Sequence, residues 1–420
     1  KHLDCPTLRL TNHHGLMIAG EAALSNWDAG MDMYIYGKLG NLTMTKEGIN
    51  VLMTNLTGKV PPILQRLDYI RFNGEAAGYL HDLTLTGLFY TGAGMVKTDV
   101  MMSIDEQSMS RTYSGSVASA DLDLGKLLNQ EKKFGKVDFN VELKGFNYKN
   151  RYPESYIKGI ISSFEYSQYQ YENIMLDGVY KDGGFNGRLS MDDANGSVQI
   201  DGNFNVAKTI PDFNLKASVK NLRPHDLHLS DKYENASISL GLTADFTGKS
   251  IDDMNGRISL DSLQLNAPDE GGCFLDNLTI TAGQVSGEKE LRINSSFMTA
   301  VIRGDYSYHT IPASVVKTVQ RYIPSLLTIK DNMPEPHNNF QFDICLENAE
   351  VLSKLFQIPL ELYLPASLKG YFNDGEEKLH VEGHFPEFRY NGTRYDSGVL
   401  FCENPSDRFK CSLRGGMLMK

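Results

Sequence analysis

The sequence predicts an all-β protein: one long, curled, largely antiparallel sheet carrying a few short amphipathic helices. Three observations predict it. From Asp212 to Lys220 every odd position is apolar (Phe213, Leu215, Ala217, Val219) and every even one polar, the period of two that gives a strand one wetted face. After a polar turn around Arg223, Pro224 and His225, the alternation returns with opposite parity at Ile238, Leu240, Leu242, Ala244 and Phe246. The same texture recurs along the chain between turns rich in Gly and Asn. Strands with one greasy side can hide it only in a sheet that curls over or packs on something apolar. What fills that concave side is the functional question.

Taken in order, short alternating runs between Leu16 and Phe89 (Ile49, Val51, Met53; Leu83, Leu85, Phe89) read as hairpins, with turns expected at Gly37–Asn41 and Asn73–Gly74. Pro61-Pro62 before Ile63, Leu64 and Leu67 opens a short helix, because proline is tolerated in a first turn. Val96, Val100, Met102 and Ile104 share one face of the next strand. A short helix or turn is expected over Leu122–Gln130, and then Val137, Phe139, Val141 and Leu143 alternate up to Gly145. Further strands are expected around Ile258 and Leu260, Leu278 and Ile280, and Leu291 and Ile293.

Over Ser314–Thr328 the period changes. Val315, Val316, Val319, Tyr322, Ile323, Leu326 and Leu327 follow helical spacing, so an amphipathic helix is expected there, kinked or divided at Pro324. It is expected to cover part of the mouth of the curled sheet. Strand alternation resumes at Phe340, Phe342, Ile344 and Leu346 and continues through Leu379, Val381 and Phe385 to Phe409, Cys411 and Leu413. The organisation is therefore a repeated β segment over 1–311, a helical insert over 312–333 and a continuing β segment over 334–420.

Composition narrows the function classes. With 420 residues, 41% of them hydrophobic, the chain can bury a sizeable core. The 41 Lys and Arg against 52 Asp and Glu give a net charge of -11, spread without blocks, which argues against nucleic acid or an anionic membrane as an electrostatic partner. Any contact with lipid must be apolar. No run of 18 apolar residues appears. A start at Lys1 without methionine reads as an excerpt from a longer polypeptide. Five cysteines without C-x-x-C spacing support neither a disulfide framework nor zinc; a Cys402–Cys411 bridge across a hairpin stays open, although paired strand thiols are more often small hydrophobes.

Candidate chemistry reads better as solvated surface. His380, Glu382 and His384 share one face of a strand and could present three ligands, but an outer polar face explains them as well. His225-Asp226-Leu227-His228 is a turn, and Asp192-Asp193 and Asp252-Asp253 sit in Asn/Gly turns. There is no G-x-S-x-G elbow, H-E-x-x-H or Walker loop, and Gly92-Ala93-Gly94 lacks a dinucleotide fingerprint. No enzyme, metal or cofactor is expected. The N-x-S/T sequons arise freely where turn Asn precedes strand Ser or Thr.

A loose repeat is visible. Asp121-Leu122-Asp123-Leu124 matches Asp226-Leu227-His228-Leu229, Leu124–Leu128 matches Leu352–Phe356, and Leu143-Lys144-Gly145 matches Leu368-Lys369-Gly370. With strings such as Gly184-Phe185-Asn186-Gly187-Arg188-Leu189-Ser190-Met191, Asp201-Gly202-Asn203-Phe204 and Ala120–Leu128, the chain resembles the TamB family (the large subunit of the translocation and assembly module) of the AsmA-like superfamily, in its Bacteroidetes-type form. The resemblance spans essentially the whole chain through texture and repeat. It implies a sheet bent lengthwise into a gutter, a β-taco, in the periplasm, anchored to the inner membrane by a segment outside this excerpt. It also implies phospholipid passage between inner and outer membranes and a barrel partner of the Omp85 class.

The residues support a conduit by their own argument. A phospholipid tail of about 15 methylenes carries roughly 12 kcal/mol of transfer free energy, which no polar surface offsets. A gutter lined by Val137, Phe139, Val141, Leu143, Phe213, Leu215, Val219, Ile238, Leu240, Leu242, Phe246, Phe340, Phe342 and Ile344 exchanges one apolar medium for another, with the headgroup in water at the seam. Some 25 to 30 strands at about 4.8 Å each would reach roughly 120 to 145 Å. The competing structural reading is that these side chains fill a sandwich or barrel by packing on one another. The competing functional reading is a periplasmic scaffold whose sheet edge pairs with strands of outer-membrane proteins. An outer-membrane barrel is disfavoured by the helix and the parity changes, and a β-solenoid enzyme or adhesin by the lack of regular rungs and a carboxylate cluster.

Overall fold

Where apolar and polar residues alternate, strands form. The computed structural model describes residues 1–420 apart from 106, 109, 148–153, 233, 269–270, 323–336, 405–407 and 418–420. The fold is all-β: one antiparallel sheet of 25 strands that is not closed, with a few short helices. By internal contacts the chain divides into two units, Lys1–Ala207 with His225–Asp231, and Lys208–Pro224 with Lys232–Lys420. Each is described separately.

The first unit contains β1 (His2–Thr11), β2 (Leu16–Ser25), β3 (Tyr34–Thr45), α1 (Lys46–Thr57), α2 (Pro62–Gln65), β4 (Tyr69–Tyr79), β5 (Asp82–Thr91), β6 (Gly94–Ile104) and β7 (Arg111–Ala120). It continues with β8 (Leu122–Asp123), α3 (Leu124–Leu128), β9 (Phe134–Asn147), β10 (Glu154–Tyr166), β11 (Tyr169–Lys181), β12 (Gly184–Asp193) and β13 (Gly196–Asn205). Each strand pairs with the next, except that β7 pairs directly with β9 and the two-residue β8 lies against the start of β9. The three helices all lie at one margin of the sheet, because they connect strand ends that the register places side by side (Thr45↔Tyr69, Ile70↔Thr91, Met95↔Ala120).

Two sequence expectations fail in this unit. Ile49, Val51 and Met53 belong to α1 rather than a hairpin, and the reason is spacing: Ile49 and Met53 are four apart and both face the cluster formed by Leu67, Ile70 and Ala93. Thr45 caps the helix, its side chain accepting from Gly48 N at 3.3 Å, and Gly58 ends it in the left-handed region at φ 73°. The turns expected at Gly37–Asn41 and Asn73–Gly74 lie instead inside β3 and β4. A bulge between Leu39 and Leu42 absorbs the first, and Gly74 faces Gly87 across the ladder in the second. The proline-led helix is α2, with Pro62 in its first turn, and α3 occupies the expected Leu122–Gln130 stretch.

In the second unit the ladder runs through β14 (Asp212–Leu222), β15 (Ser237–Thr247), β16 (Asn255–Asn266), β17 (Cys273–Val285), β18 (Glu288–Ser295) and β19 (Met298–Asp305). After α4 (Ile311–Tyr322) come β20 (Asn339–Leu346), α5 (Glu350–Phe356), β21 (Leu360–Leu362), β22 (Ala366–Asn373), β23 (Lys378–Tyr390), β24 (Thr393–Glu403) and β25 (Lys410–Met417). β20 pairs with β22, and β21 extends the other end of β23. Since α4 precedes β20 and α5 follows it, the two helices lie at opposite margins. α4 is the helix expected from Ser314 onward, begun three residues earlier; Pro324 and the rest of the expected helix lie outside the described residues. Cys402 and Cys411 stand directly opposite on β24 and β25 and are joined by a disulfide. The expected strands at Ile258, Leu278, Leu291 and Phe340 are β16, β17, β18 and β20.

The loose repeat has a structural counterpart. Leu122 and Leu227, at matched positions, are both buried, at 9% and 0% exposure. Leu127 of α3 and Leu355 of α5, also matched, each pack against a buried cluster.

Candidate functional site

Side chains directly opposite on neighbouring strands project from the same face, so the register fixes which residues line up. In the second unit Phe213, Leu215 and Val219 of β14 stand opposite Phe246, Ala244 and Leu240 of β15, and Ile238 stands opposite Leu222. The row then continues without a change of face: Ala244↔Ile258, Ile258↔Ile280, Ile280↔Ile293, Ile293↔Ala300, Ala300↔Ile344 and Ile344↔Leu368. Eight successive strands thus present one apolar line. A parallel line includes Phe246, Ala282, Leu291, Ile302 and Phe342.

The first unit carries its own line. Leu143↔Ile157, Phe139↔Ile161 and Val137↔Phe164 join β9 to β10, and Val117↔Val141 joins β7 to β9. Ile161↔Ile174, Leu176↔Leu189 and Leu189↔Ile200 carry it on to β13. The opposite face carries a charged row, beside which Ile160 and Met175 stand exposed. Glu142, Lys158, Asp177, Arg188 and Asp201 follow one another across five strands with alternating sign, Arg188 Nε lying 2.6 Å from Asp201 and Lys158 Nζ 3.6 Å from Asp177. Opposite charges across a ladder stabilise only modestly in water, but they keep that face wet.

Burial decides what the apolar face can do. Phe139, Val141, Leu143, Phe213, Leu215, Val219, Ile238, Leu240, Leu242, Phe246, Phe342 and Ile344 are half-buried, covered by their row neighbours while part of each stays accessible. Val137 and Phe340 are buried, at 6% and 7% exposure, and so are core rather than open wall. The cause is local in both cases. Val137 lies opposite Leu122 at the margin where α3 packs on β9, and Phe340 lies under α4 beside Tyr306, Phe372 and Leu379.

Compared with known proteins, the chain matches no family model, no curated protein and no solved structure.

The polar candidates find ordinary partners. His380 Nε2 lies 3.1 Å from Glu382 Oε1, and Lys369 Nζ lies 3.0 Å from the other oxygen. The Lys369 ammonium, with His380 second, holds the Glu382 carboxyl below its usual range. Among the described residues no group of His, Cys, Asp or Glu is arranged to hold a metal ion. Asp193 accepts from Tyr169 Oη at 2.5 Å, and burial together with that bond pushes the phenol up to about 12. Asp252 accepts from Ser307 Oγ and Tyr308 N, and Asp253 from Ser250 and Lys249, so these carboxylates organise loops. His225–His228 forms a turn in which the Leu227 carbonyl accepts from Tyr171 Oη at 2.8 Å.

Sequence reasoning left much of the apolar line out of the expected lining. Ile258, Ile280 and Ile293, expected only as strand residues, and Ile157, Ile161, Ile174, Leu176, Leu189 and Leu368 belong to it as fully as the residues singled out. The signal was the same period of two, interrupted by glycines whose row neighbours supply the bulk.

Proposed function

We propose that this chain is a segment of a periplasm-spanning bridge that carries phospholipid between inner and outer membranes along an apolar groove, in the manner of the TamB family it resembles. One observation carries the reading: each unit presents an apolar line, strand after strand, whose larger side chains mostly remain half-buried, while in the first unit the reverse face carries a row of charges. A row of this kind accommodates acyl chains at nearly level free energy along its length, since each methylene leaves one apolar contact for another. The headgroup stays at the wetted side. A periplasmic setting and an Omp85-class barrel partner follow from the resemblance and are part of the proposal.

Native mass spectrometry of the purified chain tests it. Co-purifying phospholipid, released on delipidation and regained on exposure to vesicles, is the expected outcome. A clean apo mass that stays apo after incubation with vesicles would contradict the conduit and favour a scaffold that pairs strands with outer-membrane proteins.

A further inference from the structure

Part of the apolar line in the second unit is covered. From one margin α4 sets Ile311 and Val315 on the cluster of Phe340, Phe372 and Leu379, against which Phe342 and Val381 also pack. From the other margin α5 brings Val351, Leu352 and Leu355 onto Met298 and Leu346. On β20 the row positions are Phe340, Phe342, Ile344 and Leu346; the α4 cluster takes the first two and the α5 cluster the last. Ile344 alone lies between them, a strip one side chain wide. Among the described residues no helix lies over Phe213, Leu215 or Leu242, although Ile238 and Leu240 of β15 pack on the cluster that α5 joins. A diacyl lipid does not pass over so narrow a strip, so with α4 seated the line is interrupted at β20.

What fastens α4 is polar. Asn338 and Ser314 are each 1% exposed, the most deeply buried polar side chains on this side of the unit. Asn338 Nδ2 donates to Ser314 Oγ at 2.6 Å and to Thr310 Oγ1 at 3.0 Å, while its Oδ1 accepts from Ser307 N at 2.9 Å. Asp374 completes the set: its Oδ2 accepts from Asn338 N at 2.8 Å and from Ser314 Oγ at 3.2 Å. An apolar helix face can settle in several registers on an apolar sheet, whereas a satisfied buried network fixes one position and is lost as a unit when one member goes. The network therefore holds α4 in the seated position, and loss of one member is what would release it.

We propose that the Asn338–Ser314–Asp374 clasp sets whether α4 closes the apolar line, and so gates passage of acyl chains past β20. The inference rests on the conduit reading above and adds its point of control. Asn338, Ser314 and Asp374 are positioning residues: they touch no lipid and act through the helix.

The test compares the full chain with Asn338→Ala, Ser314→Ala and, as a variant that loosens α4 without touching the clasp, Val315→Gln. Transfer of phosphatidylethanolamine with a fluorescent acyl chain is followed between vesicles of phosphatidylethanolamine and phosphatidylglycerol, with amide exchange of 311–322 measured in parallel. The expected result is faster exchange in α4, unchanged protection in β14–β17, and transfer accelerated roughly tenfold, the population change that loss of one buried hydrogen bond produces. Transfer that stays constant or slows while α4 amides exchange faster would overturn the gate and leave the conduit standing. Absence of transfer by every form, the unsubstituted chain included, would remove the conduit and the gate together.

Discussion

Glu290 shows how single residues hold the two faces of the sheet apart. Its side chain is only 9% exposed, on the polar side of β18 next to the buried Leu291, and stands opposite Arg303 with Arg292 Nη2 at 3.0 Å. The hydrogen bond from Arg303 outweighs the burial cost and holds the carboxyl below its ordinary range. A depressed pKa stabilises the fold above the unfolded value of about 4.3, and that stabilisation is lost as pH falls through the folded value. Glu290→Gln should therefore cost about 1.5–3 kcal/mol at pH 7, where a charge-assisted bond is lost, and much less at about pH 3. Urea unfolding of both proteins at the two pH values checks this; an equal difference at both would contradict it. In the first unit Gly74 and Gly87 make room on the face that carries Phe72. A Cβ on Gly87 would stand 2.5 Å from the Phe72 ring, so the paired glycines make the space in which Phe72 meets Phe89 at 4.5 Å.

At the scale of elements, helices mark where the apolar line ends. Ile49 in α1 is 1% exposed and packs with Leu67, Ile70 and Ala93, so Ile49→Ala should cost about 2–5 kcal/mol. α3 adds a cap to the packing of Leu127: Asp123 Oδ1 accepts from Lys126 N at 2.8 Å, and Asp123→Ala should cost only about 1 kcal/mol. Thermal or urea unfolding ranks the two, and a cap loss equal to the core loss would show that burial does not set the stability of this margin. These elements were also the hardest to read. Strands such as β14, β15, β9 and β20 were legible because parity is a local property of the chain. α1 was not, since Ile49, Val51 and Met53 alternate as in a strand while the decisive contacts come from Leu67 and Ala93 far along the sequence. Gly37–Asn41 carries turn residues yet sits inside β3, where pairing on both sides outweighs local turn preference. Val137 and Phe340 show the same limit: alternation assigns a side chain to a face but does not reveal which stretch of that face a helix will cover.

For the molecule as a whole, the decisive property is the chemical contrast between the two faces of an unclosed sheet. Twelve of the fourteen residues expected to line the groove, counted as the full set less Val137 and Phe340, are half-buried on the apolar side. Side chains that satisfied one another completely would be buried as Phe372 and Leu275 are. The residual exposure is what an acyl chain would cover. Site-specific photo-crosslinking measures it most directly. A photoreactive residue is placed at Phe213 or Leu242 on the apolar face, or at Lys216 or Thr243 on the other, and the chain is irradiated with phospholipid vesicles. The account predicts lipid adducts at Phe213 and Leu242 and none at Lys216 and Thr243. Equal labelling of both faces, or no adduct at either apolar position, would contradict it.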